Sequence, residues 1–480
     1  MKLDQATPHN PSYFWTHHPL VDMGIAALVT FAGHNTPEEL TDADSHKFAR
    51  YAEDAYFTPE LASYLTVLFT SNFINPSFSP ERKKQFVKDS LRIYKVAADL
   101  TLPPCTYCNR PSVRLAHRDL VPMLTGREAV NFFPAGTPGI PLCGNCLLAL
   151  QALSIGAPMC GGRALVVACD DPNLTVELVR IWQPEIRKRI QLSQQRGEKL
   201  PIMSRPLTRT IEALVKIEAA RQDESSSSIT VYHLSNSGQG PQVDIYFLPS
   251  SVVGFLQKAK AARYAEAWKE LTRQALEIPP KPKKGQLEVT PEPTALRNYL
   301  YEDLFSLPDQ TGRFIRTYFL RKATRYAQGP ADPRISYPGW RTSVKGTWEL
   351  TELFLREVLG MDAQRIEAIR KLGSQIAEEI ATESDRRLWW NVYSAENYRA
   401  VRLTLIRTSE RRLKRGESPI VSFDEFLQVF EEGEELPRID WRLAWDLVLI
   451  RVIESLYEQK WFEKNKEVLE EAEQVETKEA

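Results

Sequence analysis

The sequence predicts an α+β protein that is predominantly helical. Apolar residues recur at helical spacing through most of the 480 residues. One pair of short β-branched segments is separated by turn-forming residues, which predicts a β-hairpin. Four cysteines occur as two Cys-x-x-Cys pairs, which predicts a small insertion between helical parts. We expect a mostly helical region at 1–104, a cysteine-rich module at 105–150, a mixed helical and β-hairpin region with basic patches at 151–345, and a C-terminal helical bundle at 346–480.

The first region contains a well-marked helix start. Ser79 is a typical N-cap, Pro80 suits the first helical position, and Glu81 favours the positive end of the helix dipole. A basic helix is expected from there to about Asp99. The longest apolar run near the start, 24–32, is too short to span a bilayer, so we expect no membrane partner.

The cysteine-rich module is the most specific feature of the chain. Cys105 and Cys108 form one pair, and Cys143 and Cys146 form the other. Each pair can present two thiolates to one ion from a tight turn, and two such turns complete the tetrahedron of a structural zinc. Six cysteines in 480 residues give about 0.08 such pairs by chance. We therefore predict one structural Zn²⁺ in a zinc-ribbon-like insertion, in preference to unrelated thiols or a redox dithiol.

Composition limits the remaining possibilities. Basic and acidic residues nearly balance, at 61 and 62, so nucleic-acid binding has to come from local patches. Disulfides are not expected in so long a chain with few cysteines. Cys160 and Cys169 are therefore interpreted as free thiols in a reducing compartment, and the protein is expected in the cytoplasm.

The third region mixes helices with strands. The sequence predicts a buried strand at 164–169 and a helix over 175–221. Segments 229–234 and 243–248 are predicted to form the β-hairpin, and a helix is expected over 250–277.

The fourth region is predicted to be helical as far as residue 462. Ile366, Ile369, Ile376 and Ile380 share one helical face. A capping box is predicted at Ser422, and Asp440 is predicted to cap the helix that follows it. Residues 463–480, with seven Glu and three Lys, are expected to form a frayed, solvated end.

Two basic segments are candidates for nucleic-acid binding. Residues 310–345 contain eight Arg or Lys, one acid and several aromatic residues. They form either a phosphate- and base-contacting surface or an ordinary amphipathic helix at 313–325 whose rings lie in the core. A second cluster lies on a helix that begins near 396, where a sequence-independent phosphate contact is favoured. The predicted contacts are Arg313, Arg316, Arg321, Lys322, Arg325, Arg399, Arg407, Arg411 and Lys414.

The sequence favours a protein that is not an enzyme. It contains no phosphate loop, no His-Glu-x-x-His helix and no nucleophile elbow. The serious alternative is a zinc-stabilised HNH nuclease, because His117, Asp119, Gly126 and Asn131 lie between the cysteine pairs. Such a site needs further ligands for a divalent ion, and His117 is the sole histidine in that segment.

The chain resembles a known family. Besides the cysteine pairs, the segments 18–24 (HPLVDMG), 130–136 (VNFFPAG) and 232–236 (YHLSN) are similar to the CXXC-CXXC family of CRISPR-associated proteins. These proteins are large subunits of the type I-B Cascade effector complex. The likeness extends along the whole chain, and the cysteine framework is its specific part.

The resemblance implies a non-catalytic subunit of an RNA-guided surveillance complex in prokaryotic antiviral defence. Its partners would be the CRISPR RNA guide, target DNA, the Cascade backbone and small subunits, and the helicase-nuclease that the complex recruits. It would read the protospacer-adjacent motif and help to open the duplex for R-loop formation. The family also implies a small-subunit-like C-terminal part, which an internal start near Met361 would produce separately.

Reading a short motif requires groups that can enter a groove. Asn109 and Arg110 in the first cysteine turn, and Asn236 and Gln239 in the hairpin turn, have suitable donors and acceptors. Loops also contain these residue types for turn geometry alone, and both interpretations stay open.

Overall fold

The protein is described here by a computed structural model that covers residues 12–69, 78–124, 139–201, 203, 205–217, 227–236, 241–279, 296–322, 329–336, 346–432 and 436–479. It is predominantly helical with small antiparallel sheets, as the sequence predicts. The chain divides into two compact units, Met1–Ser250 and Ser251–Ala480. No helix in the covered ranges is long and apolar enough to cross a membrane.

The first unit contains both the cysteine module and the larger sheet. Its helices are α1 (Pro19–Ala32), α2 (Asp42–Ala55), α3 (Pro59–Leu68), α4 (Pro80–Leu91), α5 (Gly144–Gly156), α6 (Pro172–Arg196) and α7 (Pro206–Lys216). Its strands are β1 (Arg114–Ala116), β2 (Ile140–Leu142), β3 (Met159–Cys160), β4 (Arg163–Cys169), β5 (Ile229–Ser235) and β6 (Gln242–Leu248).

The core of this unit is built around α5, which is buried on every side. Residues 146–153 of α5 are all apolar except Gln151, so the helix has no face suited to water. It packs closely against α1, where Gly24 meets the backbone of Ala149 and Gly156 meets Ala27. A side chain at either glycine would hold the two helices apart. This close crossing fixes the position of the N-terminal end of α5, where Cys143 is the N-cap and Cys146 lies in the first turn.

The main sheet has the strand order β3-β4-β5-β6 and is antiparallel throughout. The predicted strand at 164–169 and the predicted hairpin are confirmed, with Ile229 opposite Leu248. As far as residue 217, the predicted helix over 175–221 is instead two helices, because α6 ends at Arg196, where Gly197 adopts the left-handed conformation, and α7 begins at Pro206. Residues 218–221 lie outside the described ranges. Ser79 caps α4 as predicted, but that helix ends at Leu91.

The described residues of the second unit are mostly helical. These are α8 (Ser250–Lys258), α9 (Ala262–Gln274), α10 (Tyr299–Asp303), α11 (Thr311–Phe314), α12 (Thr347–Glu357), α13 (Ala363–Glu383), α14 (Arg386–Tyr393), α15 (Tyr398–Lys414), α16 (Phe423–Phe430), α17 (Trp441–Glu458), α18 (Trp461–Lys464) and α19 (Lys466–Glu479). A two-stranded ladder joins β7 (Glu431–Glu432) and β8 (Leu436–Pro437), and a π-helical turn, Ile315–Phe319, follows α11.

Helices α13 and α17 form the centre of its C-terminal part. The four isoleucines that share one face of α13 are buried, as predicted. The capping box at Ser422 is confirmed, since Ser422 and Glu425 exchange hydrogen bonds at the start of α16. Gly373 allows α13 to approach α17, because a Cβ there would lie 2.9 Å from the carbonyl oxygen of Val448.

Three expectations for this unit need correction. The helix predicted over 250–277 is divided into α8 and α9. The Asp440 side chain does not cap α17; it forms an ion pair with Arg365 at 2.7 Å, which satisfies the carboxylate elsewhere. The expected frayed end is helical as far as Glu479, and Val468 and Ala472 are buried, so burial of an apolar face outweighs the acidic composition.

Candidate metal centre

The first cysteine pair lies in a turn closed by the backbone. The Cys105 carbonyl accepts a hydrogen bond from the Asn109 amide at 2.8 Å, and the Cys105 amide donates to the Arg110 carbonyl at 2.7 Å. Asn109 has φ +60°, a left-handed conformation that a turn of this kind requires and that Asn tolerates well. The turn therefore points both thiols inward, in the way a metal-binding knuckle does.

The second pair lies at the start of α5. The Cys143 thiol is the N-cap of this helix and accepts a hydrogen bond from the Cys146 amide at 3.4 Å. Gly144 is required between them, since a Cβ would lie 2.6 Å from the carbonyl oxygen of Ile93. Strands β1 and β2 connect the two turns, because β2 ends directly before Cys143 and pairs antiparallel with β1.

The four sulfur atoms come together in one cluster. All lie within 4.8 Å of one another, and the Cys108 and Cys143 sulfurs are 3.4 Å apart. Cys105, Cys143 and Cys146 are buried and Cys108 is half-buried. These residues could hold one metal ion. Within the described residues, no other group of three or more His, Cys, Asp or Glu has this geometry.

The close approach of the four thiols shifts their pKa values in opposite directions. Hydrogen bonds with Cys108 and Cys143 hold the pKa of the Cys105 thiol well below its usual value. The hydrogen bond with Cys105 raises the pKa of the Cys146 thiol far above the usual value. Four adjacent thiols thus share protons, since several buried thiolates repel one another. A divalent cation would replace those protons and allow all four groups to ionise.

An N-terminal strap, defined here as residues 12–18, covers the cluster. The Ser12 carbonyl accepts hydrogen bonds from the side chains of Arg110 and Asn145, the latter at 2.7 Å. The Arg110 guanidinium also lies 4.7 Å from the centre of the Phe14 ring, and the His18 ring packs on Tyr107 with 4.2 Å between centroids. Residues of both cysteine turns therefore hold the strap in place.

Sequence reasoning did not identify these strap contacts. Ser12 is 98 positions from Arg110 and 133 from Asn145 along the chain, so no local pattern reveals the hydrogen bonds. Asn145 could have been found as a polar residue inside the second Cys-x-x-Cys turn.

The predicted motif-reading residues lie in different environments. Asn109 is exposed, while Arg110 is engaged with the strap. Asn236 is 2% exposed; its amide donates to the Val67 carbonyl and its side chain to the Leu124 carbonyl. A buried, hydrogen-bonded Asn has a structural role, so we remove Asn236 from the candidates. Gln239 lies outside the described residues.

The described residues of the basic segment that begins at residue 310 are largely internal. Phe314, Tyr318 and Phe319 are buried, which agrees with the interpretation that places the rings in the core. Of the predicted helix at 313–325, the residues described, as far as 322, contain the end of α11 and the π-helical turn, and 323–325 lie outside them. Arg321 is 1% exposed, and a guanidinium buried in this way does not reach a phosphate, so it is also removed from the candidates.

The other cations of this segment differ in their surroundings. Arg316 forms an ion pair with Asp446 at 3.0 Å. The Lys322 ammonium lies 4.2 Å from the centre of the Tyr393 ring. Arg313 is half-buried. Arg325 lies outside the described residues, as do Tyr326, Tyr337 and Trp340. The segment therefore presents little free positive charge among the residues that are described.

Among the predicted nucleic-acid contacts that the structure describes, several on helix α15 are exposed. Arg399, Arg407 and Lys414 lie on its exposed side and form no ion pair with another described residue. Arg411, the fourth predicted contact, pairs with Asp385. Arg412 and Arg415, which are not among the predicted contacts, pair with the buried carboxylate of Glu379 at 2.7 and 2.8 Å.

The alternative nuclease site is only partly described. His117 is half-buried at the end of β1, and its carbonyl accepts hydrogen bonds from the amides of Leu120 and Val121. Its ring approaches Gly139, where a Cβ would lie 2.9 Å from its Cε1 atom. No three-residue metal cluster forms around His117 within the described residues. Gly126 and Asn131 lie outside them.

No protein-family model, curated protein or solved structure matches this chain.

Proposed function

We propose that this protein is a zinc-containing, non-catalytic subunit that recognises target DNA in an RNA-guided complex of the type I-B Cascade kind. The observation that carries this proposal is the convergence of two Cys-x-x-Cys turns, 34 residues apart, on one buried cluster. That framework is the specific part of the resemblance to the CXXC-CXXC family. The proposed partners are the guide RNA, target DNA, the backbone and small subunits, and the helicase-nuclease.

Zinc is the metal that fits the cluster. A tetrahedral ion with Zn–S bonds of about 2.3 Å requires sulfurs separated by about 3.8 Å. The 3.4 Å between the Cys108 and Cys143 sulfurs lies below this value and the 4.8 Å upper limit for the cluster lies above it. Four sulfur ligands leave no open position for a substrate, so the ion would be structural. Its chemistry would be to join the turn at 105–108 to the start of α5.

The exposed cations of α15 support a contact with a nucleic-acid backbone. Arg399, Arg407 and Lys414 are separated by eight and seven residues, which is about 12 and 10 Å along a helix. Neutralising phosphates at such positions releases counterions and carries no sequence information. Sequence reading would come from guide pairing and from the protospacer-adjacent motif.

The test is binding of the reconstituted complex to target duplexes with intact or altered motif. The proposal expects discrimination between motifs that is lost when the protein is omitted. Replacing Arg399, Arg407 and Lys414 together by Ala should weaken binding equally for both duplexes and reduce the salt dependence by about two to three in log–log slope. The matched control replaces the exposed Lys84 and Lys88 of α4, which should leave binding unchanged. Equal binding of both duplexes by the complete complex would contradict the proposal.

A nicking assay separates this proposal from a nuclease. The proposal expects no cleavage of target DNA by the isolated protein with Mg²⁺ or Mn²⁺, and no effect of His117→Ala. Metal-dependent nicking that His117→Ala abolishes would establish the HNH alternative.

The proposed internal start would fall between two helices. Met361 lies between α12 and α13, so a chain that starts there would contain α13 to α19. Mass spectrometry of the natively expressed complex should detect a C-terminal fragment of 120 residues, from Met361 to Ala480. The absence of any such fragment would remove the idea of an internal start.

A further inference from the structure

Strand β6 carries an unusual apolar stripe at the edge of the main sheet. Val243, Ile245 and Phe247 alternate along the strand and are 45%, 60% and 53% exposed. No described strand pairs with the outer edge of β6, which is last in the order β3-β4-β5-β6. An exposed edge with apolar side chains is the kind of surface on which another strand is added.

Strand β6 lacks the sequence features that usually prevent an edge strand from pairing with another chain. It contains no Lys and no internal Pro, and its one acid, Asp244, is already paired with Arg163 at 2.6 Å. Prolines stand directly outside it, at Pro241 and Pro249. Because proline has no backbone N–H, these residues limit any added pairing to the seven residues between them.

The sequence of β6 is self-complementary about Ile245 when two copies of the strand pair antiparallel. In an antiparallel pair related by a two-fold axis at Ile245, Val243 of one copy faces Phe247 of the other, and Pro241 faces Pro249. The apolar residues meet on one face, and the ladder ends at a proline on both sides. An axis at Asp244 would oppose two carboxylates, which is unfavourable. An axis at Val243, Tyr246 or Phe247 would bring a proline opposite a ladder residue.

From this match we infer that β6 binds the β6 strand of a second copy of the protein, antiparallel and centred on Ile245. The pairing joins the two four-stranded sheets into one continuous sheet and brings the apolar stripes of the two copies into contact side by side on one face. The interface is isologous, since each copy contributes the same seven residues. It goes beyond the proposed recognition of DNA, because neither a metal ion nor nucleic acid takes part in it.

The oligomeric state of the purified full-length protein tests this inference. Sedimentation analysis from about 1 to 100 µM, the range expected for a small interface, should show the mass rising from 54.8 kDa toward twice that value. Ile245→Lys places a charge at the axis and should keep the protein monomeric over the whole range. The matched control is Ile439→Lys, at a fully exposed isoleucine outside the sheet, which should dimerise like the unaltered protein. A monomer at every concentration, or a dimer that survives Ile245→Lys, overturns the inference.

Cross-linking tests the register. Residues directly opposite in an antiparallel pair have Cα atoms about 4.5–5.5 Å apart, within the range for a disulfide. Under mild oxidation Ile245→Cys alone should form a covalent dimer. Val243→Cys alone should not, whereas a mixture of Val243→Cys and Phe247→Cys chains should. The unaltered protein, which has six cysteines of its own, is the control and should remain uncross-linked. Efficient cross-linking of Val243→Cys by itself contradicts the proposed axis.

Discussion

Replacing Gly24 by Ala tests the close packing that fixes the start of α5. A Cβ at Gly24 would lie 1.9 Å from the Ala149 carbonyl oxygen, whereas real Cβ contacts essentially never fall below 3.0 Å. Helices α1 and α5 must therefore separate by about 1.1 Å, the difference between those distances. The obstacle is backbone, so a side-chain rotation does not relieve it. We estimate an overpacking cost of about 3 kcal/mol, offset by about 1 kcal/mol from the better helix propensity of Ala.

The net loss of about 2 kcal/mol corresponds to a fall in Tm of about 4–8 °C for a unit of this size. Differential scanning calorimetry of the purified protein measures it. Gly312→Ala is the control, because Gly312 is helical and nothing lies within 4 Å of its Cβ position, so the Tm should stay the same or rise slightly. A Gly24→Ala protein as stable as the unaltered one would refute the described contact between α1 and α5.

Three further predictions concern the strap, an acidic side chain and the metal-binding turn. Arg110→Ala removes one donor to the Ser12 carbonyl and the contact with Phe14, so a chelator should extract metal several-fold faster, while Lys88→Ala should not change that rate. Asp44 is buried, which opposes its ionisation, but hydrogen bonds from Thr41 and His34 lower its pKa to about 2. The ionised form therefore adds up to about 2 kcal/mol above pH 4, so the Tm difference between the unaltered protein and Asp44→Asn should shrink as the pH falls from 4 to 2. A difference that is constant with pH would contradict this. Gly144→Ala should lower metal content and Tm together, because its Cβ would meet the Ile93 carbonyl at 2.6 Å; full metal content in that variant would show that the turn tolerates a side chain.

The features that sequence reasoning predicted well depend on residues close together in the chain. The caps at Ser79 and Ser422 are local hydrogen bonds, and the hairpin follows from two alternating segments around one turn. The cysteine cluster was predictable because each pair carries its own turn geometry. In each case the signal and its structural consequence lie within a few residues of each other.

The features that were missed depend on tertiary packing. Nothing local distinguishes buried Arg321 from an exposed arginine, and the acidic end becomes helical because its apolar residues find a surface to bury against. Asp440 has the position of a cap, but its carboxylate forms an ion pair with Arg365, which lies 75 residues away in the sequence. The strap over the cysteines likewise joins residues about a hundred positions apart.

Elemental analysis of natively purified protein, combined with thiol alkylation, tests the metal centre most directly. We predict one zinc per 54.8 kDa chain and protection of Cys105, Cys108, Cys143 and Cys146 from alkylation until a chelator is added. Replacing Cys146 by Ser should abolish the zinc, and replacing the buried Cys160, which lies outside the cluster, should not. Folded protein with no bound metal, or with all four thiols freely alkylated, would contradict the proposed centre and the function built on it.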